Sequence, residues 1–89
     1  MPQAVVDPDD LRQFALKLRK FNVDLRERLA TLQHDMSALS ETWRDQEHKR
    51  FAEQFDEHLK LMARFLELSD RHVPYLARKA DQIDEYLQS

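Results

Sequence analysis

Apolar side chains recur at steps of three and four along almost all of this 89-residue chain, in two series that meet at its single tryptophan. The first series is Leu11, Phe14, Leu18, Phe21, Leu25, Leu29, Leu32, Met36, Leu39 and Trp43. The second is Phe51, Phe55, Leu59, Met62, Leu66, Ser69, Val73, Leu76, Ala80, Ile83 and Leu87. Steps of three and four keep side chains on one face of an α-helix, whereas a strand alternates by two. The pattern predicts two long helices with a break at Trp43.

The chain contains no glycine. Tight hairpins, phosphate-cradling loops and dinucleotide fingerprints all use glycine where backbone must take φ > 0 or approach a ligand closely. β-branched residues are also scarce, being confined to Val5, Val6, Val23, Thr31, Thr42, Val73 and Ile83. The expected class is all-α: an antiparallel two-helix hairpin that dimerises into a four-helix bundle. Residues 1–89 are read as one such domain.

The ends of the helices are legible in part. Asp7 suits an N-cap, Pro8 the first helical position, and Asp10 can reach back toward the cap. Val6 and Leu11 are spaced for a hydrophobic staple. Around the break, Ser40, Thr42 and Asp45 are each able to cap, and Asp45 also tolerates a left-handed conformation. These signals set helix one at about 8–41, the turn at about 42–45 and helix two at about 46–87. Each helix is then roughly 50–60 Å long. So short a turn makes the helices antiparallel neighbours. Pro74 lacks an amide hydrogen and crowds the preceding turn, so a kink is expected there, with residues 75–88 forming a semi-independent arm.

A hairpin uses one side of each helix, yet apolar residues also lie outside the main stripes. On helix two these are Leu61, Phe65, Leu68, Tyr75 and Tyr86, and on helix one Leu16 and Val23. An apolar surface wider than one partner needs implies a further helix packed against it. All seven residues are therefore candidates for a dimer or partner interface. Trp43 has two readings: a plug closing the end of the hairpin core, or part of a surface that a partner recognises.

Little in the sequence suggests chemistry. The net charge of −3 comes from 14 basic and 17 acidic residues interspersed along the chain. No basic face emerges to hold a phosphate backbone, so nucleic acid is not an expected partner. Asp45 lies three residues before His48, but Glu-x-x-His, the bundle metal motif, does not occur. Neither a metal nor another cofactor is expected, and extended helices without a pocket offer no credible catalytic triad. We expect a protein that is not an enzyme.

The amino-terminal stretch has no basic region followed by an apolar one, and no apolar run reaches the roughly 18 residues of a membrane span. Synthesis in the cytoplasm is expected, with any export proceeding without a cleaved signal peptide.

Two long antiparallel helices with Trp43-Arg44-Asp45 in the turn, Leu39-Ser40 before it and Phe51 and Phe55 after it, resemble the WXG100, or ESAT-6-like, superfamily. Asp45 stands where the family's Trp-x-Gly has glycine. The resemblance implies a bacterial helical hairpin that pairs with itself or a related hairpin protein, and a substrate or export partner of a type VII secretion system, with a secretion ATPase as a further partner. Many members carry a Tyr-x-x-x-Asp/Glu signal past the second helix. Here Tyr75 is followed four residues on by Lys79, and Tyr86 by Leu87, Gln88 and Ser89. If that signal is required, a dimer partner must supply it, or the chain is not exported that way. The alternative is an intracellular helical adaptor or regulatory subunit docking a larger partner, with no secretion role.

Overall fold

A computed structural model describes residues 6–88. Residues 1–5, which hold most of the amino-terminal stretch read above as lacking a signal peptide, lie outside the described residues, as does Ser89. Helix α1 spans Pro8–Leu39 and helix α2 spans Gln46–Gln88, and the two pack as a hairpin. The molecule measures 66 × 23 × 15 Å. At 1.5 Å per residue, the 43-residue α2 is about 65 Å long and sets the longest dimension.

Helix α1 starts as its sequence predicts. The Asp7 carboxylate accepts the Asp9 backbone N–H at 2.9 Å, and Pro8 occupies a position whose amide hydrogen would have no helical partner. Helix α2 runs through Pro74. The missing amide hydrogen removes the usual donor to the Asp70 carbonyl, but the apolar stripe stays in phase on either side. Residues beyond Pro74 do not form a semi-independent arm. Ala80 is fully buried, and Arg12 of α1 pairs with Asp81 at 2.7 Å and Asp84 at 2.5 Å.

The inward face of α1 differs in phase from the expected stripe. Its buried and half-buried residues include Pro8, Leu11, Ala15, Leu18, Asn22, Leu25 and Leu29, at steps of three and four, with Arg12 and Met36 also half-buried. Phe14 and Phe21, one position earlier than Ala15 and Asn22, are 56% and 51% exposed. The physical reason is size. Facing residues of α2 include Ser69 and Ala80, and helices brought together over small residues leave no space for a phenyl ring in the seam. A similar shift occurs at the start of α2, where Ala52 is half-buried and Phe51 exposed.

A polar layer crosses the middle of the seam. Asn22 and Ser69 are both buried, and the Ser69 hydroxyl donates to Asn22 Oδ1 at 2.8 Å. The Asn22 amide donates in turn to Asp70 at 3.1 Å, and Arg26 pairs with the same carboxylate. Among the described residues no buried side-chain nitrogen or oxygen lacks a hydrogen bond. Removing one member breaks that balance, because a buried hydroxyl without its acceptor bears its full desolvation cost. Asn22→Ala is expected to destabilise the fold by roughly 1–3 kcal/mol, read as a lower urea midpoint with unchanged slope. A midpoint within error of the parent would show that water replaces the amide.

Candidate interaction surface and hairpin turn

Each residue of Trp43-Arg44-Asp45 has a distinct place in the turn. Trp43 is half-buried, edge-on to His48 with ring centroids 5.1 Å apart and tilted against Phe51 at 5.9 Å. Phe51 stacks on Phe55 at 5.9 Å, so an aromatic row runs from the turn along the start of α2. Arg44 Nε donates to the Glu41 carbonyl at 2.9 Å, placing a cation at the negative end of α1. Asp45 caps α2 by accepting the His48 backbone N–H at 2.9 Å.

No described residue has positive φ, so the left-handed conformation expected as an option for Asp45 is not used. Instead the chain leaves α1 through short-range bonds. Glu41 and Thr42 donate from their backbone nitrogens to the Ala38 and Leu39 carbonyls, and the Ser40 and Thr42 hydroxyls reach the Met36 and Leu39 carbonyls. Side chains and a tightened last turn satisfy the carbonyls that a glycine C-cap otherwise handles.

Ser40 also ties the two helices together, its Oγ lying 2.9 Å from His48 Nε2. The Ser40 proton is committed to the Met36 carbonyl at 3.0 Å. The hydroxyl thus bridges the last turn of α1 to the His48 ring and latches the two helices across the turn. Among the described residues no group of three or more His, Asp or Glu is placed to hold a metal ion.

Hydrogen bonds from the His48 backbone, and secondarily from the Trp43 side chain, hold the Asp45 carboxyl below its ordinary range. Asp70 is lowered as well, first by Arg26 and then by Asn22. A carboxyl lowered in the folded state contributes stability above its unfolded value of 3.8, and that contribution is lost as pH falls through the folded value. Melting temperature is thus expected to fall on acidification below about pH 4. Both groups are solvent-exposed, so salt shrinks the effect. Asp45→Asn retains a capping oxygen without titrating and should flatten part of that fall. An identical acid profile in the variant would remove Asp45 from the account.

The two flanks of the hairpin differ. One carries the ion pairs of Arg12 and Arg26 with α2, and nearer the turn a depression of about 370 Å³ between Ala30 and Ala63. The other is apolar. It contains a groove of about 470 Å³ lined by Phe14, Leu18, Phe65, Leu68, His72 and Tyr75, among others. A further depression, bordered by Leu25, Leu32 and Met62 but also by Asp24, Glu27 and Arg28, continues toward the turn. Phe65, Leu68 and Tyr75 are each about half exposed, and Leu61 is 65% exposed.

Four of the expected interface residues, Leu61, Phe65, Leu68 and Tyr75, recur at steps of three, four and seven on α2 and so share this flank. Tyr86 lies seven residues beyond Lys79 and three turns past Tyr75, exposed near the end of α2. Leu16 and Val23 are also exposed, but they sit three and four residues from Arg12, Arg19 and Arg26 and share the face of those arginines instead. Phe14 and Phe21 were assigned to the core stripe in the sequence and belong to the apolar flank. The signal that could have placed them was Ser69: a polar residue in the facing stripe calls for a polar neighbour, and Asn22 supplies one.

Comparison with known proteins returns one family. Residues 3–86 match the model of WXG100, described as proteins of 100 residues with WXG. No curated protein and no solved structure matches the chain. With nearly the whole hairpin matched, and Trp43 holding the turn from which the family takes its description, the chain belongs to the WXG100 family.

Proposed function

We propose that this protein is a non-enzymatic helical hairpin of a type VII secretion route, exported or co-exported as a pair with a second hairpin and acting through protein–protein contacts. The observation that carries the reading is the apolar flank. Phe14, Phe65, Leu68 and Tyr75 are about half exposed along one side of the hairpin, whose other side carries the ion pairs of Arg12 and Arg26. A contiguous apolar face of this kind on a small chain marks an interaction surface. Family membership supplies the biological setting, a secretion-related helical protein. Among the described residues no helix is long and apolar enough to cross a membrane, and a secretion ATPase is the further partner this setting implies.

Export is the test. The tagged chain, produced in its own host, is expected in the culture medium with its amino terminus intact, and is expected to be lost from the medium when the secretion ATPase is inactivated. Stable retention in the cell on a larger protein, with nothing in the medium, would replace this reading with that of an intracellular adaptor.

A further inference from the structure

We propose that the flank bearing the Arg12 and Arg26 ion pairs is a docking site for an acidic polypeptide segment, centred on Arg19, Arg71 and Arg78. It is a surface that pairing on the apolar flank leaves open, and it does not depend on that pairing. Charge segregation is the first observation. Residues 11–23 of α1 and 71–80 of α2 contain half of the chain's 14 lysines and arginines and none of its 17 aspartates and glutamates. The hairpin sets these stretches side by side, between the Asn22–Ser69 bond at one end and the Arg12–Asp81 pair at the other. A cationic band about 15–20 Å long thus lies across a molecule whose net charge is −3. Neither stretch forms a basic face by itself, so the sequence shows none.

Helical spacing then places three arginines on one flank. On α1, Arg12, Leu16, Arg19, Val23 and Arg26 recur at steps of four and three. On α2, Glu67, Arg71, Pro74, Arg78 and Asp81 do the same. Arg12 and Arg26 reach Asp81 and Asp70 across the seam, so both rows border this flank. Those two carboxylates are thereby neutralised. Arg19, Arg71 and Arg78 between them are exposed and have no ion-pair partner among the described residues. Uncompensated cations gathered on one face raise a local positive potential that draws an anionic group. Leu16 and Val23, 65% and 48% exposed, stand among them. A surface both cationic and apolar suits a polypeptide better than bare phosphate.

The surroundings limit the size of the occupant. Beyond one border lie Asp7, Asp9, Asp10, Asp84 and Glu85, and residues 6–10 and 81–88 contain no lysine or arginine. Toward the turn stand Asp24, Glu27 and Glu67. A nucleic-acid duplex or an anionic lipid surface extends past both borders and meets these carboxylates, which repel it. A short segment fits between them. Arg71 and Arg78 are seven residues apart, so they take carboxylates roughly 10 Å apart, each through paired hydrogen bonds. Apolar side chains between those carboxylates cover Leu16 and Val23.

The probe is a fluorescent helical peptide of alanine and leucine with glutamate at steps of three and four. Fluorescence anisotropy at low salt is expected to show binding to the parent chain, weakening as salt is raised. The combined Arg19→Gln, Arg71→Gln and Arg78→Gln variant should bind on the order of tenfold more weakly, with circular dichroism unchanged. Arg28→Gln, Arg50→Gln and Arg64→Gln together make the same change in net charge outside the band and should leave binding unaltered. Equal weakening by both variants, or no binding by the parent, would overturn the site. Stronger binding to phosphatidylglycerol vesicles or duplex DNA, lost in the first variant, would overturn the acidic segment as occupant. Phe65→Asp lies on the other flank and should bind the peptide as the parent does, so failure of pairing and failure of this site are read apart.

Discussion

Leu66→Ala is expected to cost the hairpin about 2–5 kcal/mol, the range for deleting a buried leucine side chain and leaving a cavity. Among the described residues the buried apolar set consists of Ala15, Leu66 and Ala80, so Leu66 is its one large side chain, at 2% exposure. Two rods packed side by side have few neighbours able to collapse into the space, which places the cost toward the upper end. For a domain of this size each kcal/mol lowers the melting temperature by roughly 4–8 °C, so the variant should melt well over ten degrees lower (about two to five such steps). Far-UV circular dichroism during thermal and urea unfolding measures this, at matched protein concentration because self-association raises apparent stability. Leu66→Met conserves volume and should cost less than about 1.5 kcal/mol. Equal melting of Leu66→Ala and the parent would mean that residue 66 does not anchor the seam.

The same seam shows how much of the fold the sequence discloses. Two helices and a turn at Trp43 follow from steps of three and four, because only a helix keeps such residues on one face. The phase of the inward face on α1 is less legible. Leu11, Leu18 and Leu25 belong equally to a stripe running through Phe14 and Phe21 and to one running through Ala15 and Asn22. Hydrophobicity favours the phenylalanines, whereas close helix packing favours the small residue, and packing decides. Asp45 was readable as a cap, since His48 stands three residues later, but whether it also took a left-handed backbone was not. That depends on how α1 ends, and α1 ends by recruiting Arg44, Ser40 and Thr42 to its last carbonyls.

Contacts that join distant positions were out of reach altogether. Arg12 meets Asp81 across 69 residues, and only the register set by the turn brings them together. The local sequence offers Arg12 the nearby Asp9 but does not single it out from Arg19 for a contact with α2, and Arg19 has no ion-pair partner among the described residues. The apolar flank stood between these cases. The spacing of Leu61, Phe65, Leu68 and Tyr75 identifies one face of α2 directly. Which residues of α1 extend that face depends on the handedness of the hairpin, and Phe14 rather than Leu16 proves to lie beside it.

Phe65→Asp, one residue from Leu66, is expected to have the opposite signature: loss of the dimer with the helices retained. Phe65 is 47% exposed in the hairpin, so its ring adds little to the seam, and aspartate costs a helix interior only a few tenths of a kcal/mol. In the proposed pair the same position is covered. A carboxylate placed there would have to be desolvated within a largely apolar face if this flank is the paired surface. Central aromatic residues at interfaces typically contribute about 2 kcal/mol or more on truncation, and a pair of identical chains applies the change twice. Together these raise the dissociation constant roughly a thousandfold. Light scattering should therefore fall from near twice 10.7 kDa toward 10.7 kDa while circular dichroism stays helical. Phe65→Leu, which keeps the site apolar, should remain dimeric. An unchanged mass for Phe65→Asp would remove this flank from the interface, and collapse of the helical signal would show that Phe65 supports the hairpin itself.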